Sequence, residues 1–179
     1  MRNTLVVNLY GGPGTGKSTN AARLFAMLKD LGIETELVTE YAKDVVWEET
    51  IKLLEDQIWV FANQLRRIKR LQGKVDVVVT DSPLLLSCIY GTDYKLKELV
   101  IQEYSEMNNL DVFLTRVKPY SENGRLQTED EAKSLDAAIG GVLDVYSNAG
   151  YLTVDGSVAG CHLLLKSILK SISKEGTCL

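Results

Sequence analysis

The sequence predicts an α/β protein with a five-stranded parallel sheet and helices on both faces. Two observations favour this class. Apolar runs typical of buried strands alternate with helical patterns along the whole chain, and a glycine-rich segment directly follows the first apolar run. The runs predict strands at Leu5–Tyr10, Glu34–Thr39, Val75–Thr80, Asp111–Thr115 and Tyr151–Val154. With 179 residues, 45% of them hydrophobic, the chain suits a single domain spanning residues 1–179.

Helices are predicted between these strands. The first begins in the glycine-rich segment and ends before Gly32, and others are expected near 93–107, 129–147 and 158–172. The second helix carries apolar residues three and four positions apart, a spacing that predicts one core-facing stripe. The stripe consists of Ile51, Leu54, Ile58, Phe61, Leu65, Ile68 and Leu71.

Composition excludes several function classes. The net charge of -4 gives no global attraction to nucleic acid, and His162, the single histidine, makes a histidine-based hydrolytic triad improbable. Three cysteines, Cys88, Cys161 and Cys178, lack metal-ligand spacing and indicate a reduced intracellular protein. The first strand begins within five residues of Met1 and no apolar run could span a bilayer. We therefore expect a soluble cytoplasmic protein without a membrane partner.

The glycine-rich segment carries the G-x4-G-K-[ST] signature of a phosphate-binding loop (P-loop) between a buried strand and a helix. Its backbone N–H groups can surround a phosphate at the positive end of the helix dipole. The lysine reaches the β- and γ-phosphates, and the serine can hold Mg²⁺. ATP and Mg²⁺ are therefore the predicted cofactors. The binding segment comprises Gly11, Gly12, Pro13, Gly14, Thr15, Gly16, Lys17, Ser18 and Thr19.

Acidic residues follow three of the predicted strands, where parallel sheets bind their ligands. Glu40, Asp81 and Asp155 each come directly after a strand. Asp81 ends the most hydrophobic of these three strands, the position where P-loop enzymes place a carboxylate that orders Mg²⁺ or its water. Ser18 and Asp81 are therefore the predicted metal residues, while Glu40 could equally be a solvated strand end on position alone.

Several short motifs accompany the loop. They are Glu40-Tyr41-Ala42-Lys43, Asp56-Gln57 with Gln64, Asp81-Ser82-Pro83 and Gly124-Arg125. Together they resemble P-loop kinases of the nucleoside-kinase and ribosylnicotinamide-kinase type, especially small phage-encoded kinases. Lys43 stands where the ribosylnicotinamide group has arginine, and Ser82 where nucleoside kinases usually have arginine. The resemblance implies a nucleoside-kinase-like fold, with Glu40 as base or substrate anchor and Asp81 as metal organiser, or the two roles exchanged.

A polar loop at 117–128 lies where such kinases carry a lid. A lid arginine can meet two oxygens of the transferring phosphoryl group, and Arg125 is the preferred candidate. Arg116, or both arginines, remain alternatives. The catalytic candidates are thus Lys17, Glu40, Asp81 and Arg125.

Substrate residues are less well defined by sequence. Gln57 and Gln64 lie on one helix face and could read the edge of a base, and Tyr41 could supply stacking surface. The basic run from Arg66 to Lys74 fits either a solvated helix end or contacts to a DNA backbone.

The prediction is an ATP-dependent kinase acting on a nucleoside-like hydroxyl. It leans towards a hydroxymethylated base, 5-hydroxymethyluracil, in phage DNA, which would place the protein in the host cytoplasm. The alternatives are a free nucleoside or ribosylnicotinamide kinase, a motor or switch NTPase that hydrolyses ATP, and a nucleotide-binding module without turnover. The sequence is also compatible with a homo-oligomer.

Overall fold

The computed structural model describes residues 3–91, 93–117 and 128–175, and it contains the expected five-stranded parallel sheet. The strand order is β2-β3-β1-β4-β5, and every neighbouring pair is parallel. The central strand β1 therefore lies between β3 and β4. The strands are β1 (Leu5–Tyr10), β2 (Thr35–Val38), β3 (Val77–Thr80), β4 (Asn108–Thr115) and β5 (Tyr151–Asp155).

Helices connect the strands and cover the sheet. They are α1 (Lys17–Asp30), α2 (Tyr41–Trp47), α3 (Gln57–Lys69), α4 (Ser87–Tyr90), α5 (Tyr94–Ser105), α6 (Glu129–Tyr146) and α7 (Val158–Glu175). Two 3-10 helices cover Ile51–Glu55 and Leu84–Leu86. Within the described ranges, none of the helices is both long enough and apolar enough to cross a membrane.

Two separate cores lie on opposite faces of the sheet, which confirms the prediction of helices on both sides. Strand β1 contributes to both because successive side chains alternate between faces. Leu5, Val7 and Leu9 belong to the core that includes α1 and α7, whereas Val6 and Tyr10 belong to the core that includes α3, α5 and α6. All six residues of β1 are buried, including the polar Asn8, whose side-chain amide donates hydrogen bonds to Asn109 and Asp111.

The predicted second helix is divided in the structure. Asp56 ends the 3-10 helix, and its carboxylate caps α3 by accepting a hydrogen bond from the Trp59 amide at 3.0 Å. The apolar stripe is therefore only partly core: Phe61 is buried, but Ile51 and Ile58 are 61% and 57% exposed. The expectation of one continuous buried stripe is wrong at its N-terminal end because the cap starts a new helix there.

The register of the strands brings the loops of interest to one edge of the sheet. Asn8 of β1 is paired with Thr80 of β3, so the glycine-rich loop and Asp81 leave the sheet side by side. On the other side, the Gly156 amide donates to the Thr115 carbonyl at 3.0 Å, which places the end of β5 beside the end of β4. The candidate site is built at this edge.

Candidate nucleotide-binding site

The glycine-rich loop has a backbone that only glycine adopts easily. Gly11 and Gly16 have φ angles of +134° and +89°, and a Cβ at Gly11 would lie 2.8 Å from the Leu114 carbonyl oxygen. Gly16 is the N-cap of α1, and no side chain caps this helix terminus. The amides of its first turn are therefore available to an anion, as in a phosphate site.

Lys17 lies inside the loop. Its Nζ donates to the carbonyl oxygens of Gly11 at 2.5 Å and Gly12 at 3.2 Å. Burial lowers the pKa of the Lys17 ammonium, and the charges of Glu40 and Asp81 oppose that shift. The loop thus holds a desolvated lysine at the position where a phosphate would need positive charge.

Ser18, Glu40 and Asp81 come together around one ammonium group, that of Lys43. The Lys43 Nζ lies 2.8 Å from Ser18 Oγ, 3.3 Å from Asp81 Oδ2 and 3.5 Å from Glu40 Oε2. The fold thus collects the predicted metal and acceptor residues from α1 and from the ends of β2 and β3. Sequence reasoning noted Lys43 only as a departure from the family motif. Its position three residues after Glu40, on the following helix, was the available signal.

The donor groups fit Mg²⁺. Asp81 is 3% exposed, and its Oδ1 is buried without a hydrogen-bond partner, as expected for an oxygen reserved for a metal or its water. The hydroxyl of Ser18 supplies a second hard oxygen. In the described part of the chain, no three acidic, histidine or cysteine side chains group as metal ligands. Phosphate oxygens and water would therefore complete the coordination, as Mg²⁺ prefers.

A cavity of about 1010 Å³ extends from the loop in both directions along the sheet edge. The β5 side is walled by the turn after that strand and by helix residues; it is lined by Arg23, Val117, Leu135, Gly156, Ser157 and Val158. The β2 side, which we call the second compartment, is bordered by Glu40 and Asp81. Its remaining wall consists of Ala42, Lys43, Val46, Leu54, Gln57, Val60, Gln64, Ser82, Pro83, Leu86, Ser87 and Tyr90.

Two of the three predicted substrate residues line the second compartment. Gln57 donates to the Leu54 carbonyl at 2.6 Å. The Gln64 side-chain oxygen accepts from the Tyr41 amide at 2.9 Å, while its Nε2 is buried without a partner. Tyr41 itself is absent from the cavity wall: its ring lies 5.1 Å from the Arg67 guanidinium, and its hydroxyl accepts from Trp59.

Arg116 and Asp136 hold the glycine-rich loop from the β4 side. Asp136 Oδ1 accepts from the Gly12 amide at 2.6 Å, and Asp136 Oδ2 pairs with Arg116 Nη1 at 2.5 Å. The Arg116 Nε donates to the Pro13 carbonyl at 3.0 Å. Arg116 thus serves the loop, whereas Arg125, the preferred lid arginine, lies outside the described residues. Sequence reasoning missed Asp136 because nothing local distinguishes this helix acid.

These features define a P-loop NTPase domain: a glycine-rich loop joins the central strand of a parallel sheet to a helix, with a lysine, a serine and a strand-end acid beside it. A family model described as "AAA domain" matches residues 6–159, and the chain belongs to that family. The crystal structure of APE1195 is similar in fold, with a TM-score of 0.50 and 20% identity over 96% of this chain and 98% of that one. No curated protein matches the sequence.

Proposed function

We propose that this P-loop NTPase is a kinase that transfers the γ-phosphate of ATP to a hydroxyl group of a nucleoside-like acceptor. The observation that carries the proposal is the second compartment, which continues the cavity past Glu40 and Asp81. The cavity of about 1010 Å³ lies at the upper end of the roughly 300–1,000 Å³ of typical ligand pockets, and its second compartment extends beyond the loop that would hold the phosphates of a nucleotide, which offers a place for a second small molecule. An enzyme that only hydrolyses ATP needs no such room.

The residues at the junction suit phosphoryl transfer. The loop amides and Lys17 would bind the β- and γ-phosphates, and bound Mg²⁺ would neutralise charge on them. Glu40 borders the second compartment, where its carboxylate can accept the proton of an acceptor hydroxyl. The hydroxyl oxygen forms a bond to the γ-phosphorus, the bond to the ADP oxygen breaks, and the proton passes to Glu40.

The walls of the second compartment suit a planar, hydrogen-bonding ring. Val46, Val60 and Leu86 supply apolar surface, and Gln57 and Gln64 supply amides. The unpartnered Nε2 of Gln64 is a buried donor that a ring carbonyl would satisfy. These groups favour a nucleobase or nicotinamide over a flexible, fully polar acceptor.

A further observation favours an acceptor base carried in DNA, such as the 5-hydroxymethyluracil that the sequence favours. A hollow of about 300 Å³ is lined by Asn63, Arg66, Arg67 and Arg70 on a neighbouring face of α3. Arg67 pairs with Asp44, but Arg66 and Arg70 add positive charge to the same hollow. Because α3 also walls the second compartment, a strand whose phosphates contact this hollow would pass beside the proposed acceptor site.

The experiment that tests the kinase proposal follows label from γ-labelled ATP into a panel of acceptors. The panel contains free nucleosides, ribosylnicotinamide, DNA with 5-hydroxymethyluracil, and a control without acceptor. We expect label in one acceptor and ATP consumption above the acceptor-free rate. Equal ATP hydrolysis with and without acceptors, with no labelled product, would instead identify a motor or switch NTPase. Binding without turnover would identify a regulatory module.

The DNA acceptor is tested by replacing Arg66 and Arg70 with glutamine. Each lost phosphate contact lowers the slope of log affinity against log salt by about 0.7 to 0.9, so the double variant should lose about 1.4 to 1.8. The matched control replaces Lys95 and Lys97, two exposed lysines of α5, and should keep the wild-type slope. A wild type without salt-sensitive DNA binding would leave a free nucleoside as the proposed acceptor.

A further inference from the structure

We propose that Lys43 is an internal counter-ion of the nucleotide-free protein: its ammonium holds the cation position between Ser18, Glu40 and Asp81 and yields it when metal and nucleotide bind together. The inference concerns the resting state of the site. It uses the metal role proposed for Ser18 and Asp81 and is independent of the acceptor.

The geometry matches a cation site. A lysine ammonium has three donors and no acceptor, and here three oxygens lie around it: Ser18 Oγ at 2.8 Å, Asp81 Oδ2 at 3.3 Å and Glu40 Oε2 at 3.5 Å. One hydroxyl and two carboxylates are also the hard oxygen donors that Mg²⁺ selects. Lys43 thus contacts both groups that would hold the metal.

The charges explain why a cation is needed there. Asp81 is buried, and a buried carboxylate requires a compensating positive charge. Lys17, although near, directs its ammonium to the carbonyl oxygens of Gly11 and Gly12. Among the ion pairs of the described residues, the one that Asp81 makes is with Lys43.

Competition follows from this arrangement. The Ser18 hydroxyl and the Asp81 carboxylate cannot hold a metal while the ammonium lies between them. Free Mg²⁺ must therefore displace Lys43 with no other group present to accept the hydrogen bonds of its ammonium. A metal that arrives with nucleotide brings phosphate oxygens, which offer the displaced ammonium new acceptors. Lys43 is about half exposed and has a flexible stem, so it can move without disturbing the core. The device thus couples metal binding to nucleotide binding.

The experiment measures Mn²⁺ binding to the nucleotide-free protein by electron paramagnetic resonance. We expect Lys43→Met to bind Mn²⁺ at least tenfold more tightly than wild type, because the competing ammonium is gone. Lys43→Arg keeps the charge and should resemble wild type. The matched control is Lys29→Met, which removes a surface lysine paired with Glu36 and should also resemble wild type. Adding Asp81→Asn to Lys43→Met should abolish the gain.

Thermal unfolding gives a second readout that needs no turnover. Without metal, Lys43→Met should melt below wild type, and Mg²⁺ should raise its melting temperature more than that of wild type. If Lys43→Met does not fold, Lys43→Gln, which keeps a polar end but no charge, takes its place. A folded neutral variant that binds Mn²⁺ no more tightly than wild type overturns the proposal. Because no acceptor is present, a failed kinase assay does not affect this result.

Discussion

Two lysines with different surroundings supply positive charge at the phosphate end of the cavity. Lys17 is partly buried and donates to the carbonyl oxygens of its own loop, and desolvation lowers its pKa. Lys43 is half-exposed and contacts side chains from three parts of the fold. The loop therefore fixes the first cation in place, whereas the second has freedom to move.

Replacing Lys17 with alanine should abolish phosphoryl transfer in a folded protein. The ammonium stabilises charge that develops on the phosphate oxygens, so its loss should lower the rate on the order of 10³-fold or more. Its contacts are to loop carbonyls and not to the apolar core, so circular dichroism and melting should stay close to wild type. Lys29→Ala is the surface control. Near-normal turnover of a folded Lys17→Ala protein would contradict this role.

Substitutions at the two strand-end acids should have different effects. If Asp81 organises the metal, Asp81→Asn should weaken the Mg²⁺ dependence and the rate together. If Glu40 accepts the acceptor proton, Glu40→Gln should leave ATP binding intact and lose transfer. Titrating ATP and Mg²⁺ against both variants separates the roles. A Glu40→Gln variant that mainly loses ATP·Mg²⁺ affinity would exchange the two assignments.

The site residues at strand ends could be placed from sequence, and so could Gln57 and Gln64 on α3, but Asp136 on α6 could not. Glu40 and Asp81 follow predicted strands, and the ends of parallel strands lie at one edge of the sheet, so their meeting was predictable. Asp136 lies in the interior of α6 and reaches the loop only through the packing of that helix. Asp136 and Gly12 are 124 positions apart in the sequence, so no local sequence pattern could predict their contact.

At the scale of elements, α6 is tied to the glycine-rich loop through Asp136, which contacts both Gly12 and Arg116. Asp136→Asn should weaken nucleotide binding roughly tenfold and lower the melting temperature, because it breaks a partly buried, hydrogen-bonded ion pair that joins α6 to the loop. Isothermal titration with ATP measures the effect. Glu129→Gln removes an exposed ion pair of the same helix and should leave the melting temperature and the affinity for ATP close to wild type. Equal losses in both variants would argue against the tie.

Element types were more predictable than element boundaries. The five strands follow from apolar runs, yet β4 begins at Asn108 instead of Asp111 because it pairs with β1 along six residues. The division before α3 depends on Asp56 as a cap, a local signal weaker than the apolar periodicity around it. The apolar periodicity therefore predicted a helix correctly over α3 but placed its start too early in the sequence.

At the scale of the whole molecule, a buried polar cluster links strands and helices on one face of the sheet. The Asp111 carboxylate accepts hydrogen bonds from Asn8 at 2.9 Å, from Ser147 at 2.6 Å and from the Tyr104 hydroxyl. Burial and the charge of Asp111 raise the pKa values of Tyr10 and Tyr104 above the ordinary value of 10.0. The folded protein thus keeps these phenol protons at a pH where the unfolded chain releases them.

Stability should therefore fall in alkaline solution. Below about pH 10 the two phenols are protonated in both the folded and the unfolded state, so their full contribution to the free energy of unfolding is present. Above about pH 10 the unfolded state loses these protons first, and the free energy of unfolding decreases by about 1.4 kcal/mol per pH unit for each tyrosine. Urea unfolding between pH 8 and 11 measures this slope. Tyr104→Phe removes one titrating phenol and should therefore reduce the slope by the contribution of one tyrosine. Tyr94→Phe, at an exposed tyrosine, is the control. An unchanged slope in Tyr104→Phe would refute the assignment.

The placement of the tryptophans has an optical consequence. The chain has two, Trp47 and Trp59, and both lie on the helices that wall the second compartment. Trp47 is 84% exposed, while the Trp59 indole donates to the Tyr41 hydroxyl next to Glu40. Because the chain also has eight tyrosines, the tryptophans must be excited selectively; their fluorescence then originates from the second-compartment side of the molecule. A spectral change on adding a ligand would locate the disturbance at that side without any engineered label.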